Sequence, residues 1–141
     1  MKLANLSIVA VSYLSLVSAM PVLGSDDASP ADLEKRKCFH TGESFGSSRE
    51  AALDAAEYAC TSDLIGTYSK RETRVRCYGI GNGKSVKLTV GLTGKNAPAT
   101  RRIQFNECVD GLHKEIQNCG RGGDTTYGNW RYRADPNKGG C

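Results

Sequence analysis

After residue 19 the sequence holds no second long apolar run, so nothing in the rest of the chain reads as a membrane span. It has no Cys-x-x-Cys pair. Its two histidines, His40 and His113, do not lie near cysteines at zinc-finger spacing, which argues against a small zinc module. A nucleophile elbow, a metal motif and a phosphate-binding glycine loop are all missing, and with them the commonest hydrolase and nucleotide-enzyme readings. No internal repeat is visible. The one sequon, Asn5-Leu6-Ser7, sits near the amino end, and no cysteine precedes Cys38.

What is present follows a three-part plan. Residues 1–19 join a charged start at Lys2 to an apolar run from Leu6 to Val17. They close on Val17-Ser18-Ala19, small residues of the kind signal peptidase prefers. The run is short for a membrane span and carries a cleavage pattern, so it reads as a signal peptide. Residues 20–36 are polar, contain Pro21 and Pro30, show no helix or strand periodicity and end at the dibasic pair Lys35-Arg36, the form of a propeptide. Cutting 36 residues from 141 leaves a mature domain of 105, from Lys37 to Cys141. All six cysteines fall in it: Cys38, Cys60, Cys77, Cys108, Cys119 and Cys141. An even set confined to an exported domain predicts three intramolecular disulfides and no free thiol, with the pairing left open. The product is expected to be secreted and extracellular, with no cofactor and no membrane insertion.

The full chain carries a net charge of +4. The segment to be removed holds Lys2, Lys35 and Arg36 against Asp26, Asp27, Asp32 and Glu34, so processing raises the balance to about +5. A basic surface suits acidic glycans, phosphates or wall polymers; it also suits plain solubility.

Along the mature domain the pattern is α+β. Cys38-Phe39-His40 reads as a short strand. Ser47-Ser48-Arg49-Glu50 reads as a capping box for a helix whose stripe is Leu53, Ala56, Cys60 and Leu64. Glu72 to Tyr78 alternates, with Thr73, Val75 and Cys77 on one face and Glu72, Arg74, Arg76 and Tyr78 on the other. Gly79 to Gly83 is a turn, and Val86, Leu88, Val90 and Leu92 complete a hairpin. Asn106 is a plausible cap for a second helix, on which Cys108, Leu112, Ile116 and Cys119 share a face and which Gly111 weakens. Thr125 to Arg133 reads as one last strand. The expected order is βαββαβ: a small disulfide-stabilised antiparallel sheet with two helices, in a split βαβ-like sandwich.

Two constellations carry chemistry. His40, Glu72, Arg74 and Arg76 imitate the base, acid and arginines of a fungal-type ribonuclease. The second histidine, His113, falls mid-helix beside Lys114, facing solvent, so the expectation is no enzyme. The tail from Tyr127 to Asn137 packs three aromatics, two arginines, two asparagines and an aspartate into eleven positions. Sugar sites need this mixture: an aromatic face covers the C–H side of a ring while amides, carboxylates and guanidinia bond its hydroxyls. With Trp130 and Tyr132 pointing to the core, alternation turns Tyr127, Asn129, Arg131 and Arg133 outward, where Arg74, Arg76 and Lys87 join them. The expected ligand surface is therefore Arg74, Arg76, Tyr127, Asn129, Arg131 and Arg133. Gly120-Arg121-Gly122-Gly123-Asp124 is either a binding loop or a helix-to-strand turn.

The run Glu107-Cys108-Val109-Asp110-Gly111-Leu112-His113-Lys114-Glu115-Ile116 is followed by Cys119, Gly122-Gly123, Trp130-Arg131-Tyr132-Arg133-Ala134-Asp135-Pro136-Asn137 and a closing Cys141. It resembles small secreted fungal proteins related to an ink-cap mushroom lectin. The first half is similar more loosely, through Cys38 after the dibasic site, an alanine-rich helix ending in Cys60, and Glu72-Thr73 before Cys77. The resemblance spans the mature domain. It implies an αβ scaffold, binding of a glycan or glycoprotein without catalysis, and a homodimer, with no nucleic-acid partner. The rivals are a ribonuclease-like toxin and a killer-toxin-like effector that binds a host protein.

Overall fold

The computed structural model describes residues 36–141. The expected signal peptide, and the expected propeptide up to Lys35, lie outside the described residues. From the amino end, a 3-10 turn at Gly46–Ser48 leads into α1 (Arg49–Ala59). There follow β1 (Gly66–Ser69), β2 (Thr73–Gly81), β3 (Lys84–Gly91), β4 (Thr100–Ile103), α2 (Phe105–Asn118), β5 (Gly123–Tyr127) and β6 (Trp130–Lys138).

Alternation builds the main sheet. Val86, Leu88 and Val90 on β3 stand opposite Pro136, Ala134 and Tyr132 on β6, and all six are buried. Cross-strand partners share a face, so these residues make the inner surface that both helices cover. The sheet order is β2-β3-β6-β5, with every neighbouring pair antiparallel. α1 contributes a stripe of small side chains, Ala52, Ala55, Ala56 and Ala59, which lets it sit close to the sheet. α2 contributes Cys108, Val109, Leu112 and Ile116. A separate two-stranded ribbon, β1 with β4, closes one end of the core. Its Tyr68 is buried, donates to the Leu64 carbonyl at 2.7 Å and meets the Trp130 ring edge-on at 5.1 Å.

The α+β class, the two helices and the three disulfides are as expected; the strand order differs. Cys38 forms only an isolated bridge with Gly123. The last expected strand is a hairpin of two, because Gly128 and Asn129 take φ of 57° and 72° and turn the chain. Two short strands, Gly66–Ser69 and Thr100–Ile103, carry too little alternation to announce themselves. The sheet therefore has no parallel crossover of the split βαβ kind. The expected caps do not form. Neither Ser48 before α1 nor Gln104 before α2 makes a side-chain cap bond, and Asn106 lies inside α2. Asn82 instead donates to the Ser47 and Ser48 hydroxyls at 3.2 and 2.9 Å, tying the β2–β3 turn to the start of α1.

Cys38–Cys119 fastens the amino end of the domain to the end of α2, Cys60–Cys108 joins the helices, and Cys77–Cys141 pins the last residue to β2. No cysteine is free. The bridged residues stand 81, 48 and 64 positions apart, so each bridge closes a long loop of the unfolded chain. Loss of one costs about 2–5 kcal/mol.

Gly111 is where intrinsic helix propensity yields to packing. The Tyr132 ring occupies the space a Cβ at Gly111 would need. Gly111→Ala is therefore expected to lower stability by about 1–3 kcal/mol through overpacking, although alanine favours helix by about 1 kcal/mol. Denaturant unfolding checks this, and a stabilised variant would show that the ring moves aside.

Candidate functional site

The six residues expected on one face occupy three places. Arg74 and Arg76 stand opposite Val90 and Leu88, so they belong to the inner, helix-covered face, and Thr73, Val75 and Cys77 turn outward. This reverses the expected polarity of β2, and Val75 is 48% exposed. The strand lies at the sheet edge, where a long side chain can cover apolar surface and still bring its charged head to polar partners. Arg74 lies 4.0 Å over the Tyr68 ring and donates to the Ile65 carbonyl, the Thr67 carbonyl and Glu72 at 2.9, 2.8 and 2.9 Å. Arg76 pairs with Asp63 at 3.3 Å, and Tyr78 donates to the same carboxylate at 2.9 Å. Arg74 thus clamps the β1 region onto the sheet, with its donors already engaged.

Arg131 and Arg133 do face outward, but they are paired. Arg131 grips Asp124 with two bonds, at 2.7 and 2.5 Å. Arg133 reaches Asp124 at 3.5 Å and Asp135 at 2.7 Å, and it lies 4.9 Å over the Phe39 ring. The result is a charge ladder across β5 and β6 in place of free cations. Beside it a cleft of about 320 Å³ is lined by Cys38, Phe39, His40, Thr41, Arg133 and Asp135. The Gly120–Asp124 segment serves this architecture. Gly122 accepts from the Phe39 amide at 2.9 Å, and Asp124 is taken up by the arginines.

Tyr127 faces inward, because the two-residue turn makes it the cross-strand partner of Trp130 and reverses the parity expected for one continuous strand. Its hydroxyl donates to the Gly111 carbonyl at 3.2 Å, its ring lies 4.9 Å from that of Tyr132, and Lys114 sits 4.9 Å over it. Burial pushes its phenol well above the ordinary range. Asn129 occupies the turn, and its carbonyl accepts from the Gly94 amide at 3.0 Å, so the Leu92–Ala97 loop docks on the hairpin tip. Arg101 buttresses the tip from the other side, donating to the Gly128 carbonyl and, at 2.6 Å, to Glu107.

Two grooves flank this tip. One, of about 250 Å³, is lined by Gly94, Lys95, Asn96, Thr126, Tyr127, Gly128 and Asn129. The other, of about 340 Å³, is lined by Glu107, Asp110, Gly111, Lys114, Tyr127, Gly128 and Tyr132. Among the described residues no hydrogen bond ties the side chains of Lys95, Asn96, Thr126 or Asn129, in contrast to Arg74, Arg131 and Arg133. Sequence reasoning found Tyr127 and Asn129 and missed Lys95, Asn96 and Thr126. Only the loop glycine and proline around Lys95 and Asn96 marked that segment.

The ribonuclease-like set disperses. His40 lines the outer-face cleft near β5, whereas Arg74 and Arg76 sit on β2, the opposite edge strand, with both side chains on the other face, and Glu72 immediately precedes that strand. His113 is not solvent-facing: its side chain is 19% exposed, with Nε2 3.3 Å from the Leu53 carbonyl and 3.8 Å from Glu57.

A family model described as "Glycan binding domain Y3" matches residues 53–141. The match runs from within α1 to Cys141 and includes the whole main sheet, both grooves and five of the six cysteines. No curated protein matches the chain.

The hydrogen bonds from Arg131 hold the Asp124 carboxyl below its ordinary range. A depressed folded-state pKa means stabilisation that is present above the unfolded value, about 3.9, and lost as pH falls through the folded one. Wild-type melting temperature is expected to drop as pH falls below about 4, while Asp124→Asn starts lower and falls less on the same acidification. Equal slopes in the two proteins would show that the ladder does not drive the acid response.

Proposed function

The chain belongs to the glycan binding domain Y3 family, and on that footing we propose that it is a secreted lectin-like protein whose sugar contacts gather at the β5–β6 hairpin tip. The observation that carries this reading is the cluster of untied polar side chains, Lys95, Asn96, Thr126 and Asn129, around the half-buried Tyr127 ring. A sugar ring offers an apolar C–H face and a rim of hydroxyls. Tyr127 supplies the wall, and the two amides donate and accept at the rim. The backbone bond from Gly94 to Asn129 fixes the loop against the turn before a ligand arrives, which lowers the ordering cost of binding.

The second groove shares Tyr127 and Gly128 with the first and adds Asp110, Glu107 and Lys114, so a glycan longer than one sugar would run over the tip from one groove to the other. The reaction is binding alone. Three disulfides and the amino-terminal signal pattern support an extracellular setting, and a defence or virulence effector role fits a lectin exported by its cell.

Glycan-array binding competed by free sugar is the expected result. Asn96→Ala combined with Asn129→Gly, which keeps the turn's positive φ, is expected to weaken binding at least tenfold, about 1.4 kcal/mol, with little change in melting temperature. Arg131→Ala is expected to do the reverse, losing stability and keeping affinity. Wild-type affinity in the double variant would overturn the assignment. Loss of binding in Phe39→Ala would then move the site to the outer-face cleft.

A further inference from the structure

α2 carries one residue that breaks its own pattern. Glu115 lies in the apolar stripe between Leu112 and Ile116 and is 0% exposed. Its Oε1 is buried with no hydrogen-bond partner. Its Oε2 accepts from the Thr125 hydroxyl at 3.2 Å. Nothing in the glycan-binding reading uses this group, and an unpartnered buried carboxylate is among the costlier features a small domain can hold.

The other side of Thr125 is occupied by the start of the domain. The Lys37 backbone nitrogen donates to Thr125 Oγ1 at 3.2 Å, and the Lys37 carbonyl accepts from the Asp124 amide at 3.0 Å. Gly123 lies between them: a Cβ built there would collide with Glu115 Oε2 and stand 3.0 Å from the Lys37 carbonyl. Cys38, the next residue, is fixed by its disulfide to Cys119 and its bridge to Gly123. The Lys37 nitrogen is therefore held one hydroxyl away from a buried carboxylate. It is also the nitrogen that a cut after Lys35-Arg36 would release.

We propose that cleavage between Arg36 and Lys37 makes a ligand for the domain's own interior: the new α-ammonium of Lys37 stays on Thr125 and neutralises Glu115, so that processing completes the fold. Water adds across the Arg36–Lys37 amide under an endoprotease specific for paired basic residues. The hydroxyl goes to the Arg36 carbonyl, which leaves as a carboxylate, and the Lys37 nitrogen takes up protons to become an ammonium. Before the cut that nitrogen is a neutral amide with one proton, already committed to Thr125. After it, the same atom carries a charge and two further donors, with Glu115 Oε1 free to accept. Arg36 is exposed and makes no hydrogen bond to Glu115; its positive charge acts to lower the Glu115 carboxyl in the precursor and departs with the cut.

Beyond the Lys35-Arg36-Lys37 run, the two dibasic pairs further along the chain are held in place. Lys70 and Arg71 donate their amides to the Ala99 and Leu92 carbonyls, and Arg101-Arg102 lies in β4. A protease that needs an extended strand finds these pairs occupied.

The groups acting on Glu115 are Thr125, Asp124 and Tyr127 from β5 and Arg36 ahead of Lys37. Burial is the main cause that pushes its carboxyl up to about 7. A raised folded-state pKa is stability present at low pH and lost as pH climbs through it. The precursor is thus expected to weaken from about pH 4.5 to pH 7, and the processed form to hold its stability there because the ammonium favours the charged carboxylate.

The test compares the full chain before and after digestion with a paired-basic endoprotease, with mass spectrometry confirming Lys37 as the new amino terminus. At pH 7 the processed protein is expected to melt about 5 °C or more above the precursor. The gap should vanish in Glu115→Gln, and also when one glycine is inserted between Arg36 and Lys37. In labelled wild-type protein the Lys37 α-amino group should titrate above its usual value of about 7.7–8.0. The proposal is overturned by equal melting temperatures, by a gap that survives in either variant, by an ordinary α-amino titration, or by an exported protein that starts elsewhere than Lys37. If Glu115→Gln does not fold, the glycine insertion and the titration decide.

Discussion

The position of β6 between β3 and β5 is the constraint on which the other contacts of this domain rest. One strand sends Trp130, Tyr132, Ala134 and Pro136 into the core and Arg131, Arg133, Asp135 and Asn137 to the opposite face. Each inward residue engages a different element. Trp130 receives Tyr68 from β1 and Arg101 from β4, Tyr132 presses on Gly111 of α2, and Ala134 faces Leu88 of β3. An aromatic side chain that buries its whole surface contributes up to about 4–6 kcal/mol, so Trp130 and Tyr132 together rival the net stability of a domain this size. A slip of one residue would exchange the two faces and place guanidinia under the helices.

That parity also explains what the sequence revealed and what it hid. The stripe of α2, the β2–β3 hairpin, the inward Trp130 and the disulfide class were legible because period and cysteine count are local signals. The turn at Gly128-Asn129 was not read, since Thr125 to Arg133 also alternates acceptably as one strand. Missing it reversed the face assigned to Tyr127. β2 was misjudged for another reason: its central residues alternate threonine, valine and cysteine against arginine and tyrosine, and hydropathy favours the first set for the core. The register with β3 chose the second, because Arg74 spends its length on Tyr68 and its head on two carbonyls and Glu72. Gly94 and Pro98 marked the Lys95-Asn96 segment only as a loop, and Thr126 carried no signal, since loop docking depends on contacts far apart in the chain.

A positive net charge invites a reading in which basic residues recognise an acidic partner. Here the arginines mostly hold the protein together. Arg74, Arg101, Arg131 and Arg133 each pair with a carboxylate, and each also lies over an aromatic ring or gives two bonds to one acceptor. Planar guanidinium groups suit that work, because they bond in their plane and stack on their face at once. In the site proposed above, recognition falls to two neutral amides, a hydroxyl and a tyrosine at one hairpin tip, with Lys95 the single cation of that groove. Such a site discriminates by shape and hydrogen-bond geometry, and its affinity should depend little on salt.

The three disulfides differ in how much of them solvent can reach. Cys60 and Cys108 are both 0% exposed, between the helices, whereas Cys141 is exposed and Cys38 partly so. Exchange requires a thiolate to touch sulfur, so access orders the chemistry. A protein of this kind meeting a reducing environment would surrender its carboxyl-terminal tether and its amino-terminal tether while the inter-helix bridge still waited for the core to open. The lifetime of the last bond would then be a clock set by global unfolding and not by the strength of the reductant.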